Sequence, residues 1–265
     1  MAAAFPRSSS HYEAHGVILL ADSGIAHDEG FVQSITFPPQ WKKIGTIDGI
    51  TDSCMVLSNG RLVRTNNPLC SLIPDDRLLL KMHSELVRLE LGFKALIGRV
   101  LPSYGGADWF NCTFRFVKTE NEPRHLDSFN NGRPFASKMK KPRAKFFFNV
   151  DAAPRIWTVG PNLPEILRAS EGALGPRLPN DLNALAHLIN SSGILDAMPA
   201  IRIEIPPRGI VFANGATVLH QVLYGERMVA LEGFVPRNLL QSGSECEWDS
   251  LPGWITNAGY EVEQV

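Results

Sequence analysis

"WFNCTFRFVK", residues 109–118, decides how this chain is read. Successive side chains of a strand point to opposite faces. Here one face collects Phe110, Cys112, Phe114 and Phe116, while the other collects Asn111, Thr113 and Arg115. A strand apolar on one side and polar on the other covers a core with the first and lines a cavity with the second. Further along, "AKFFFNVD" (144–151) repeats the pattern, with Phe146, Phe148 and Val150 opposite Lys145, Phe147, Asn149 and Asp151.

Outward from these two stretches the texture stays β. "RHLDSF" (124–129), "RIWTVG" (155–160), "AIRIEI" (200–205), "GIVFANG" (209–215), "ATVLHQV" (216–222) and "RMVALEGFV" (227–235) are short runs punctuated by Pro, Gly and Asn. Short strands in series with turn signals predict a barrel or sandwich and argue against a βαβ sheet. Upstream, "HGVILLAD" (15–22) reads as a buried strand, and Asp75 and Asp76 open a helix in which Leu79, Met82, Leu86, Leu89, Phe93 and Leu96 recur at steps of three and four, to about Val100. Such an amphipathic helix packs on something flat. The organisation expected is one domain over 1–265: N-terminal strands and supporting helix (1–107), a β core (108–237) with a helical insertion at about 161–199, and a C-terminal extension (238–265).

Composition narrows the function. A formal charge of -1 argues against a polyanion-binding surface, so nucleic acid is not an expected partner. Cys54, Cys70, Cys112 and Cys246 form no C-x-x-C pair, the usage of unpaired thiols in a reducing compartment. The N-terminal "MAAAFPRSSSHYEAH" lacks the apolar centre of a signal peptide, and no run reaches the roughly 18 apolar residues of a membrane span. A cytoplasmic protein without a membrane span is expected.

The chemistry concentrates in "NEPRHLDSFNN" (121–131). In an extended chain His125 and Asp127 point to the same side, so an imidazole nitrogen and a carboxylate oxygen can converge on a metal ion. Two histidines and one carboxylate on one face of a metal, with positions left open, suit non-haem Fe(II). His11, His15, His27, His83, His187 and His220 are the candidates for the third ligand. His83 and His187 fall in helical segments and the first three precede the β region, which leaves His220, late in the strand series. The same H-x-D would also serve as a local hydrogen-bonded turn pair.

On these residues the chain resembles the Fe(II)- and 2-oxoglutarate-dependent dioxygenases, whose core is a double-stranded β-helix. The resemblance covers about 108–237, where "ANGATVLHQVLYGERMVALEGFVPR" is similar to the closing strands of such a core. More narrowly, "RHLDSF", "KFFFNVDAAPRIWTVG" and an H-x-x-x-x-G turn leading to "FVP" are similar to the hydroxylases that act on 3-deoxy-D-manno-octulosonic acid (Kdo). The fold implied is mainly β with flanking helices, a jelly-roll, cupin-like double-stranded β-helix packed against an N-terminal helix. The resemblance implies Fe(II) on His125, Asp127 and His220, with 2-oxoglutarate and O2 as co-substrates and succinate and CO2 as products.

It also implies a basic residue for the distal carboxylate of 2-oxoglutarate. Lys145 and Arg227 rank equal for that role, Arg237 behind them, and Asn111, Arg115 and Asn149 are candidates for lining the pocket. Arg155 either meets a substrate carboxylate or stabilises a turn. Relatives that halogenate replace the carboxylate ligand with Gly or Ala, so Asp127 points to hydroxylation, with desaturation or ring formation as other outcomes. The mixed insertion, with Arg168, Glu171, Arg177 and Asp181 among Leu and Pro, favours a small or medium polar substrate: an amino acid, sugar acid or natural-product intermediate. A cupin-type isomerase on Zn or Mn and a non-enzymatic β-barrel are the alternatives, and oligomeric state is not legible.

Overall fold

Two antiparallel sheets face one another across the strands that the alternation marks. The computed structural model describes residues 12–13, 16–35, 43–45, 55–58, 61–64, 75–116, 123–128, 142–240 and 246–263. Strand β1 (Val17–Leu20), helix α1 (Glu29–Ser34), β2 (Lys43–Gly45), the hairpin β3 (Met55–Ser58) and β4 (Arg61–Arg64), and α2 (Asp76–Val100) precede β5 (Asp108–Phe116). Next come β6 (Arg143–Asn149), β7 (Arg155–Asn162), α3 (Leu163–Ala169), β8 (Arg177–Leu178) and α4 (Leu182–Ser192). The chain then runs through β9 (Ile201–Ile205), β10 (Ile210–Ala213), β11 (Val218–Tyr224) and β12 (Arg227–Phe234) to α5 (Glu247–Asn257) and β13 (Glu261–Val262).

The major sheet has six strands in the order β1-β10-β6-β12-β5-β2, and the minor sheet three, β11-β7-β9. This is the jelly-roll arrangement expected, as two facing sheets that form no closed barrel among the described residues. Its outer face is apolar because period two makes it so: Phe114 of β5, Phe146 and Phe148 of β6, Phe212 of β10 and Leu231 of β12 are all buried in one cluster. Leu86, Leu89, Phe93, Leu96 and Ile97 of α2 belong to the same cluster, so the helix lies with its stripe on that face. Phe93 meets Phe148 and Phe212 edge to face, the orientation that ring quadrupoles favour.

Helix α2 starts where expected. The Asp75 side chain accepts hydrogen bonds from the N–H groups of Arg77 and Leu78, satisfying two of the donors a helix start leaves over. The chain leaves the helix at Leu101, just before Pro102. The side chain of Leu79 lies outside the described residues.

The inner face is mixed. Phe147, Val211, Ala213, Met228 and Ala230 of the major sheet pack with Trp157, Ile205 and Val222 of the minor sheet in a second, smaller core. The polar residues of the inner face crowd toward one end of it, and that end carries the site.

One expected strand is not there. Over 124–128, the described part of the strand expected at 124–129, the chain makes a single antiparallel bridge, His125 with His220. Beyond it Asp127 donates its N–H to Gly215, and the backbone of Leu126 is taken up by a side chain, so no ladder propagates. Cys112 and Cys246 are buried and, among the described residues, form no disulfide; Cys54 and Cys70 fall outside the described residues. Among the described residues no helix is long and apolar enough to cross a membrane.

Candidate metal centre

Strand β11 carries His220 into the space between the sheets, and the backbone bridge sets His125 beside it. His125 N–H donates to the His220 carbonyl at 3.0 Å and His220 N–H to the His125 carbonyl at 3.1 Å. The imidazole centroids lie 4.5 Å apart as a result. Asp127, two residues on, points to the same side, as extended backbone requires. One ligand-type atom from each of His125, Asp127 and His220 lies within 4.8 Å of the other two. Gly215 makes room for this: a Cβ there would stand 2.4 Å from Asp127 Oδ2.

The donor chemistry suits a divalent metal. His125 Nδ1 lies 2.8 Å from the Pro123 carbonyl and His220 Nδ1 2.9 Å from the Val218 carbonyl. A ring that donates Nδ1–H to a carbonyl keeps its Nε2 lone pair for a metal, and the bond fixes the ring's orientation. His220 is only 5% exposed, and burial holds its imidazole down at about 4, so the ring is neutral and able to ligate at ordinary pH. Trp157 stacks on it, 5.8 Å between centroids at 26°. Burial would raise the Asp127 carboxyl, but Lys145, Arg143 and His220 outweigh it and keep it well below the usual carboxylate range.

Around the carboxylate stands a cluster of charges from three strands. Lys145 Nζ donates to both oxygens of Asp127, at 3.0 and 2.8 Å, and Arg143 Nη1 lies 3.8 Å from Oδ2. Glu232 of β12 accepts from Arg143 Nη2 at 2.6 Å and from Arg115 Nη2 at 2.9 Å. Burial would raise the Glu232 carboxyl, and Arg143, Lys145 and Arg115 bring it down to about 2. Among the described residues, Lys145, Arg143 and Arg115 share this space with Asp127 and Glu232, a concentration of charge that is costly to hold away from water unless it is compensated. Thr113 Oγ1, Arg115 Nε and Trp157 Nε1 are buried with no hydrogen-bond partner among the described residues. Buried polar atoms of this kind call for an explanation, and a polar ligand between the sheets supplies one.

Of the basic candidates, only Lys145 and Arg115 stand in this cluster. Arg227 begins β12 five residues before Glu232, ~17 Å away along an extended strand. There its guanidinium meets Asp151, Glu226 and the Ile35 carbonyl. Arg237 pairs with Asp249 at the surface. Asn149 is buried away from the site, donating to the Ala153, Ile205 and Pro206 carbonyls and accepting from Asp151 N–H. Arg155 packs under Gly225, at the β11–β12 turn. The side chain of Asn111 lies outside the described residues, as do His11, His15 and the His83 side chain; His27 packs against Phe148.

Sequence reading passed over Arg143 and Glu232. Both carried a signal: Arg143 is two residues from Lys145 and so shares its face, and Glu232 is a lone acid in the apolar run "MVALEGF".

No family model matches the chain, and no curated protein does. Solved structures do. The Kdo hydroxylase KdoO, a non-heme Fe(II) alphaketoglutarate dependent dioxygenase, in complex with succinate and Fe(III), superposes with a TM-score of 0.69 at 16% identity, covering 99% of this chain and 94% of that one. Its complex with alphaketoglutarate and Fe(III) gives 0.69 at 15%, covering 99% and 93%. The apo form gives 0.68 at 15%, covering 96% and 90%. This chain therefore shares their fold over almost its whole length.

Proposed function

We propose that this chain is a non-haem Fe(II)- and 2-oxoglutarate-dependent oxygenase that hydroxylates an unactivated C–H bond of a small or medium polar metabolite. The observation that carries the reading is the convergence of His125, Asp127 and His220, with both Nδ1 atoms committed to backbone carbonyls. The fold supports it, because KdoO has been solved with Fe(III), alphaketoglutarate and succinate. Bound at the three side chains, Fe(II) with 2-oxoglutarate and O2 supplies the oxidising power, releasing succinate and CO2 as the substrate is hydroxylated.

The chain's own part is positioning, charge and exclusion of water. His125 and Asp127, both partly exposed, leave the metal reachable from one side, while buried His220 and Trp157 close the other. Lys145 anchors the distal carboxylate of 2-oxoglutarate. His125, Asp127 and His220 would hold the metal, and Lys145, on the Asp127 carboxylate at 2.8–3.0 Å, would then stand beside it as the cation for the co-substrate. Arg143 and Arg115, held by Glu232, keep the field positive around it, and Thr113 and Trp157 offer further hydrogen bonds. The substrate enters past the insertion that contains α3 and α4. A sugar acid is the first class to test, since the shared fold houses a Kdo hydroxylase.

Anaerobic titration of metal-free protein with Fe(II) and then 2-oxoglutarate tests this reading. Chelation of the keto acid is expected to produce its weak visible charge-transfer band in the native chain and none in His220→Ala. Metal binding without the band would remove 2-oxoglutarate from the account.

A further inference from the structure

Asn190 stands in the last turn of α4, where asparagine is a poor helix former and needs another reason to be present. Its amide faces the tripeptide that carries two of the candidate ligands. Leu126 N–H donates to Asn190 Oδ1 at 2.9 Å, and Asn190 Nδ2 donates to the Leu126 carbonyl at 2.9 Å. In extended backbone the N–H and C=O groups of alternate residues point to opposite edges. His125 and Asp127 use one edge, bonding to His220 and Gly215, and Leu126 turns its two groups to the other. The Leu126 side chain meanwhile is buried in the main core.

One primary amide thus replaces a missing neighbouring strand. The N–H it accepts from belongs to the peptide unit joining His125 to Leu126, and the carbonyl it donates to belongs to the unit joining Leu126 to Asp127. Both peptide planes between the two ligands are gripped by one side chain. We propose that Asn190 is a positioning residue for the candidate metal centre, setting the relative orientation of His125 and Asp127 from the insertion helix; the inference rests on the metal reading above. Few residues could take its place. An aspartate offers an acceptor to the Leu126 N–H but sets a second oxygen against the Leu126 carbonyl, and an aliphatic side chain offers neither bond.

Co(II) titration of the metal-free full chain, followed by its visible d–d spectrum, tests the assignment. Asn190→Ala is expected to weaken Co(II) binding by about 10- to 100-fold, the loss that follows removal of groups orienting metal ligands, and to alter the d–d bands. Leu185→Ala, which truncates a buried apolar side chain of the same helix and removes neither hydrogen bond to Leu126, is the control for general loosening. It is expected to lower the melting midpoint while leaving Co(II) affinity and spectrum as in the native chain. Should Asn190→Ala fail to fold, Asn190→Asp keeps one of the two bonds and is expected to show the same direction of change. The positioning role is overturned if the native chain binds Co(II) and the Asn190 variants bind it equally well, or if Leu185→Ala weakens binding as much as they do. No Co(II) binding by the native chain would sink the metal reading and this inference with it.

Discussion

Glu232 and Glu247 are both buried carboxylic acids, and the two faces of the major sheet treat them in opposite ways. On the inner face, Arg143, Lys145 and Arg115 overcome burial and bring Glu232 down to about 2. On the outer side, burial pushes Glu247 up to about 7, although its carboxyl accepts the N–H of Arg143. One face is built to hold charge and the other to expel it. The same period-two alternation creates both faces, so a single strand such as β6 presents Phe146 and Phe148 to the helix and Lys145 to the site.

Crossed substitutions would break this division first. His220→Ala is expected to abolish metal binding, measured by calorimetric titration, with the fold retained. Phe148→Ala is expected to cost about 3–5 kcal/mol of stability in denaturant unfolding, as aromatic core truncations do, with the metal affinity retained. A loss of both properties in either variant would show that the faces are not independent.

The two acids give the next contrast. Glu232→Gln removes the buried negative charge that the Arg143 and Arg115 guanidinium groups share, and breaking a buried pair from one side costs about 3–5 kcal/mol. Glu247→Gln is expected to do the reverse above neutrality. The raised carboxyl binds its proton more tightly in the folded chain than in the unfolded one, so its stabilising contribution is full below about 4.5 and is lost as pH rises through about 7. The amide removes that loss, making the variant about 3 kcal/mol more stable than the native chain at pH 8 relative to pH 4. Equal pH profiles for the two proteins would mean that Glu247 ionises freely.

The smallest effect sharpens the inner face alone. Lys145→Ala is expected to raise the 2-oxoglutarate concentration needed for half-maximal band development by about 10- to 100-fold, the value of a charge-assisted hydrogen bond of ~1.5–3 kcal/mol. Arg227→Ala, at the far end of β12, is expected to leave it unchanged.

Much of this was legible in the sequence because it is written in local periods. The stripe of α2, the alternation of β5 and β6, and the H-x-D of His125 and Asp127 are patterns within a few residues, and His220 was picked out by its place late in the strand series. The pairings were not legible, because they depend on register. Lys145 and Arg227 are equivalent cations until β12 is aligned with β6, which sets Glu232 opposite Lys145 and Met228 opposite Asn149. Arg143, Glu232 and Asn190 find partners across 89, 117 and 64 residues, and no local pattern announces such a meeting. The strand expected at 124–129 failed for a related reason: its residues have strand texture, but a side chain occupies the edge where a neighbour would pair.

Gly215 has a use beyond the packing it permits. Its missing side chain leaves the volume that the Asp127 carboxylate fills, so the centre is specified by four positions of the chain: H-x-D and, much later, G-x-x-x-x-H. Glycine is easily overlooked as a turn residue, yet here it works as a filter. When distant kin are sought among sequences too divergent to align, a glycine five positions before the late histidine is a further mark to look for, because any side chain there would push the aspartate carboxylate from the position it holds here.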